Sequence, residues 1–95
     1  MLIKVTELSV LPHYRLRLKF SDGTTGILDC SGIVGRSGQM VQPLRDEKFF
    51  ARVFIEFGAP TWPNGYDMAP WAIHKDLADA GLLSIPGLPK QTAAE

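Results

Sequence analysis

Three basic residues, Arg15, Arg17 and Lys19, alternate with Leu16, Leu18 and Phe20. An extended chain sends alternate side chains to opposite faces, so the three cations line one side of a strand. Their spacing there is about 6–7 Å, close to that of nucleic-acid phosphates. Tyr14, next to the row, is a ring on which a base could stack. A further cation, Arg36, lies inside Gly35-Arg36-Ser37-Gly38, which has the letters of a KH-type GxxG loop. The strands before it come in the wrong order for that fold, and a flexible connector accounts for the glycines more simply. The second set is aromatic: Trp62, Tyr66 and Trp71 crowd the stretch Thr61–His74. Exposed beside a turn, they would anchor a protein partner; buried, they would complete the core of a small domain.

Catalytic chemistry has little to stand on. Cys30, His13 and His74 show no spacing that makes a nucleophile and its base. A cysteine just after a strand reads as a small buried residue. His74 reads as a core-edge histidine bonded to the backbone, and His13, after Pro12, as a loop residue. The lone Cys and the absence of a His pair at ligand spacing argue against a metal centre. Asp76 and Asp79 read as solvated carboxylates on a helix face. Gly32–Gly38 has neither the Gly-Lys-Ser/Thr ending of a phosphate loop nor GxGxxG order. The expectation is a protein that is not an enzyme, with no cofactor, no metal and no small-molecule substrate.

Ten basic and ten acidic residues cancel, and the pI is near 6.7. That balance gives no whole-molecule attraction to nucleic acid or to an anionic membrane, and it removes a barrier to self-association. A single cysteine cannot form an internal disulfide and fits a reducing compartment. No apolar run approaches the ~20 residues that span a bilayer. Lys4 and Glu7 interrupt the start where a signal peptide would be apolar. The chain therefore reads as cytoplasmic, one domain over residues 1–89 with a frayed tail at 90–95.

The elements that must position these residues follow from periodicity. Residues 2–11 alternate as a strand, but the pattern slips by one near Thr6–Glu7, which predicts a bulge there. Tyr14–Phe20 is the cleanest strand. Asp22-Gly23 predicts a two-residue type I′ turn into a returning strand at Thr24–Asp29. Cys30–Pro43 reads as a short helical turn and a loop. Asp46 caps a short helix over Glu47–Arg52, and a strand follows at Val53–Phe57. Gly58-Ala59-Pro60 turns it back into a short edge strand at Thr61-Trp62. Pro63 and Gly65 suit the second and fourth positions of a type I turn, with Asn64 and Asp67 tying it by side-chain hydrogen bonds. Pro70 opens a helix that runs to Ala80, with Ile73, Leu77 and Trp71 on its apolar side and Gly81 as its stop. Leu82–Leu88 would drape over the domain. The class is α+β: an antiparallel sheet of about five short strands, a C-terminal helix packed on one face, and a short helical segment between strands.

Three blocks in this order resemble the DUF2442 family over roughly Ile3 to Leu77. They are Leu18-Lys19-Phe20-Ser21-Asp22-Gly23 with Asp29, then Leu44-Arg45-Asp46 with Phe49 and Val53, then Trp62-Pro63-Asn64-Gly65-Tyr66-Asp67-Met68-Ala69-Pro70. The resemblance implies an α+β domain with a mostly antiparallel sheet and brings no established activity. It also implies two roles suggested for members, nucleic-acid binding and an antitoxin-like partnership with a small toxin-like protein. Two positions depart from the pattern. Ala69 stands where a Ser-type cap is usual, which passes the cap to Asp67, and Trp71 stands where an acid is usual.

The functional expectation is a small interaction module that binds a protein partner, either a second copy or a toxin-like neighbour, through Trp62, Tyr66 and Trp71. The alternative is a nucleic-acid binder using Arg15, Arg17, Lys19 and Arg36.

Overall fold

A computed structural model describes residues 2–85; Pro86–Leu88 of the expected drape and the 90–95 tail lie outside them. Three strands, β1 (Val5–Leu11), β2 (Arg15–Phe20) and β3 (Thr25–Asp29), form an antiparallel meander in that order. The register of β1 on β2 shifts between Val5 and Glu7, where the alternation of the sequence slips. The bulge keeps Val5 and Leu8 on the inner face despite the odd spacing. Leu16, Leu18 and Phe20 from β2 are all but fully buried.

Two further strands, β4 (Phe54–Glu56) and β5 (Ala59–Thr61), form a separate antiparallel hairpin. The α+β class holds, but the five strands divide into sheets of three and two. The hairpin meets the meander at its turn, where the Val5 amide donates to the Gly58 carbonyl at 2.8 Å. A Cβ on Gly58 would fall 2.7 Å from Cβ and Cγ of Lys4, so only glycine admits this approach.

Short helical segments join the two sheets: α1 (Ser31–Val34), a 3-10 turn at Gln42–Arg45, and α2 (Glu47–Phe50). The Asp46 carboxylate accepts from the Lys48 amide at 3.0 Å, the expected cap, but the helix ends two residues before the predicted Arg52. Helix α3 (Pro70–Asp79) buries Ile73 and Leu77. It closes with a Schellman motif: Gly81 has φ 72°, its amide reaches the Ala78 carbonyl at 3.0 Å, and the Leu82 amide reaches Leu77 at 2.8 Å. No side chain caps its start, where Ala69 stands; Asp67 instead bridges Thr61 through the backbone.

Two turns share one construction. Phe20–Thr24 and Trp62–Tyr66 each close a three-residue loop with paired backbone bonds, and glycine at positive φ (Gly23, 87°; Gly65, 92°) sits third in the loop. Asp22 and Asn64 occupy the middle position, and each carboxamide or carboxylate oxygen accepts from the amide two residues on. The predicted two-residue turn at Asp22-Gly23 is therefore a three-residue loop, because only Gly23 takes the left-handed conformation.

One core gathers residues from every layer, among them Val5, Leu16, Phe20, Leu44, Phe50, Trp62, Ile73 and Leu77. Trp62 is its centre. Its indole N–H donates to the Phe50 carbonyl at 2.9 Å, so the one polar atom of the ring is satisfied inside. The Phe50 ring lies 5.6 Å from Trp62 and 5.3 Å, edge-on, from Tyr14. Beyond α3, residues 82–85 run along β3, where Thr25 and Ser84 exchange both backbone bonds.

Candidate interaction surfaces

The outer face of the meander carries the basic row. Arg17 and Lys19 are exposed there, and Arg15 is half-buried with its Nε donating to the Pro12 carbonyl at 3.0 Å. Acids stand beside two of the three. Glu7 lies across from Lys19, 3.8 Å away, and Asp29 lies across from Arg15. Arg17 sits between Ser9 and Ile27. Arg36 is exposed in the loop after α1, where its carbonyl accepts from Arg45 Nη2 at 2.9 Å, so it is not part of the row. Tyr14 is turned away from base stacking: its hydroxyl donates to the Arg45 carbonyl and its ring packs on Phe50.

The aromatic set does not form one surface. Trp62 is 1% exposed and cannot meet a partner. Tyr66 is half-buried, its ring 5.8 Å from that of Trp62. Trp71 is 62% exposed, which corrects its placement on the apolar side of α3. At 100° per residue it lies about 200° from Ile73, so the two cannot both face the core. The remaining turn residues hold structure: Asn64 Nδ2 donates to the Met40 carbonyl at 2.9 Å and ties the glycine-rich connector to the Trp62–Tyr66 loop.

A surface that the residue pattern did not single out lies on β4 and its turn. All three residues of β4 are exposed, Phe54 and Ile55 among them, and Phe57 at the tip is 92% exposed. Phe57 and Gly58 form the two-residue turn between Glu56 and Ala59, with φ 52° and 79°. A type I′ turn asks for Asn, Asp or Gly at its first position, and a left-handed phenylalanine is an outlier there. Apolar residues in a predicted strand read as core, which is why the pattern missed them.

The titratable groups have structural partners. Burial pushes the Cys30 thiol up to about 12, aided by the charge of Asp29. Asp22 is held below its ordinary value, chiefly by the hydroxyl of Thr24 at 2.6 Å and also by His74. His74 Nε2 stands 2.9 Å from Asp22 Oδ2, and its ring is edge-on to Phe20, so it sits at the core edge as expected but bonds a carboxylate rather than the backbone. Among the described residues no three His, Cys, Asp or Glu side chains converge as metal ligands, and no helix is long and apolar enough to cross a membrane.

These features define a small α+β domain built on a three-stranded meander with an apolar accessory hairpin. The chain belongs to the DUF2442 family, described as a protein of unknown function, whose model matches residues 5–76. No curated protein and no solved structure matches the chain.

Proposed function

We propose that this is a non-catalytic interaction module of the cytoplasm that binds a protein partner, either a second copy or a toxin-like neighbour. The observation that carries the reading is the β4–β5 hairpin, which leaves Phe54, Ile55 and Phe57 in solvent. Aromatic side chains clustered on one exposed element are the composition of an interface core. Phe57 also accepts an unfavourable backbone conformation to stand there. Trp71 is a separate anchor on α3. Burial makes Cys30 a poor nucleophile. The nucleic-acid reading has less support, because Glu7 and Asp29 offset two of the three cations in the basic row.

The test is affinity capture of the tagged chain from its host lysate, with and without nuclease. The proposal expects a stoichiometric protein that survives nuclease. Bound nucleic acid that nuclease removes would overturn it and return attention to Arg15, Arg17 and Lys19.

A further inference from the structure

The edge of β3 offers a second, independent surface. Thr25 gives its amide to Ser84 at 3.1 Å and takes the Ser84 amide at 2.8 Å, so its backbone groups point away from β2. At the two ends of the β2–β3 ladder, Phe20 bonds Thr24 and Cys30 bonds Tyr14. Bonding alternates along an antiparallel pair, so Thr25, Ile27 and Asp29 all turn their backbone groups outward. Residues 82–85 satisfy Thr25. The outward amide and carbonyl of Ile27 and of Asp29 meet no backbone partner among the described residues.

Beside this open edge lies a groove of about 280 Å³ lined by Arg17, Thr25, Gly26, Ile27, Leu82 and Ser84. Ile27 and Leu82 give it exposed apolar walls. Arg17 gives it charge. It is the one member of the basic row with no acid across from it, and its guanidinium makes no hydrogen bond or ion pair among the described residues. A short strand edge, an apolar wall and an uncompensated guanidinium together fit an extended chain that adds to the sheet by backbone pairing.

We propose that the β3 edge docks an extended segment of a partner protein that carries an acidic side chain, backbone to Ile27 and Asp29, carboxylate to Arg17. A second copy docking by β3 itself is disfavoured, because symmetric pairing centred on Ile27 would need Thr25 of both copies, and Ser84 already holds it.

The test is titration of the ¹⁵N-labelled full chain with a synthetic peptide, Thr-Val-Glu-Val-Thr, blocked at both ends. Its Gln analogue and a single-stranded oligonucleotide serve as comparisons. The proposal expects amide shifts centred on Ile27 and Asp29, and binding about threefold or more weaker for the Gln peptide. It expects loss of that discrimination in Arg17→Gln, whose exposed position spares the fold, with Phe57→Asn binding as the wild type does. No shift at β3, equal affinity for the two peptides, or tighter binding of the oligonucleotide at Arg17 would each overturn it. Because Phe57→Asn is a neutral control here, failure of this site leaves the hairpin reading standing, and the converse holds.

Discussion

Phe57 joins an unfavourable backbone conformation to almost full exposure. A left-handed conformation costs a non-glycine residue about 1–2 kcal/mol, and at 92% exposure its ring recovers little of that by burial. Asparagine tolerates the same backbone. Phe57→Asn is therefore expected to melt no lower than the wild type, and up to several degrees higher, in a thermal scan. Cys30 gives a second residue-scale prediction. Its folded pKa, raised to about 12 by burial, lies above the unfolded value near 9, so the folded state holds the proton longer. The contribution is present below pH ~9 and is lost as pH rises toward 12, at up to ~1.4 kcal/mol per unit. Chemical denaturation at pH 8 and 10.5 should show a steeper loss in the wild type than in Cys30→Ala. Asp22 has the opposite sign: its lowered folded pKa stabilises above pH ~4 and the benefit disappears as pH falls further. Asp22→Ala should flatten that acid limb. What the sequence made legible at this scale was burial from pattern, as at Leu16, Leu18 and Cys30. The pairing of His74 with Asp22, far apart in the chain, depends on how α3 lies against the β2–β3 turn and has no local signal.

The elements show where local chemistry governs and where it is overridden. The cap at Asp46 and the glycine stop at Gly81 rest on contacts within a few residues, and the bulge near Glu7 shows as a slip in the alternation of β1, so each was readable. The turn between β4 and β5 was not. Gly58-Ala59-Pro60 carries the usual turn residues, yet the chain reverses at Phe57-Gly58, where Gly58 packs against Lys4, the residue before β1. The exposure of Trp71, by contrast, follows from helix period, since about 200° separates it from Ile73, which with Leu77 faces the core. The start of α3 supplies an element-scale prediction. Ala69 leaves the first helical amides without a side-chain acceptor, so Ala69→Ser should raise stability by about 0.5–2 kcal/mol in urea denaturation. A decrease would mean that the turn before Pro70 has no room for a hydroxyl.

Across the whole molecule, charges of opposite sign balance, and the hairpin gathers exposed apolar side chains. Net charge is +0, and acids stand beside two of the three cations on the outer face of the meander, while the hairpin presents two phenylalanines and an isoleucine. That distribution supports the proposed contact with another protein over contact with a polyanion. Duplex DNA binding should be weak, with a log–log salt dependence shallower than about −1.8, the slope for two neutralised phosphates; a steeper slope would show that Glu7 and Asp29 fail to offset the row. The α+β class was readable from strand period and turn residues, but the division into two sheets and the exposed hairpin were not, since an apolar strand looks the same in sequence whether its neighbours cover it or leave it bare. The most direct test of that exposed hairpin is nuclease-treated capture with Phe57→Asn beside the wild type. The variant, folded and no less stable, should lose most of the stoichiometric protein that the wild type retains. Equal retention of that protein by both would contradict the hairpin reading.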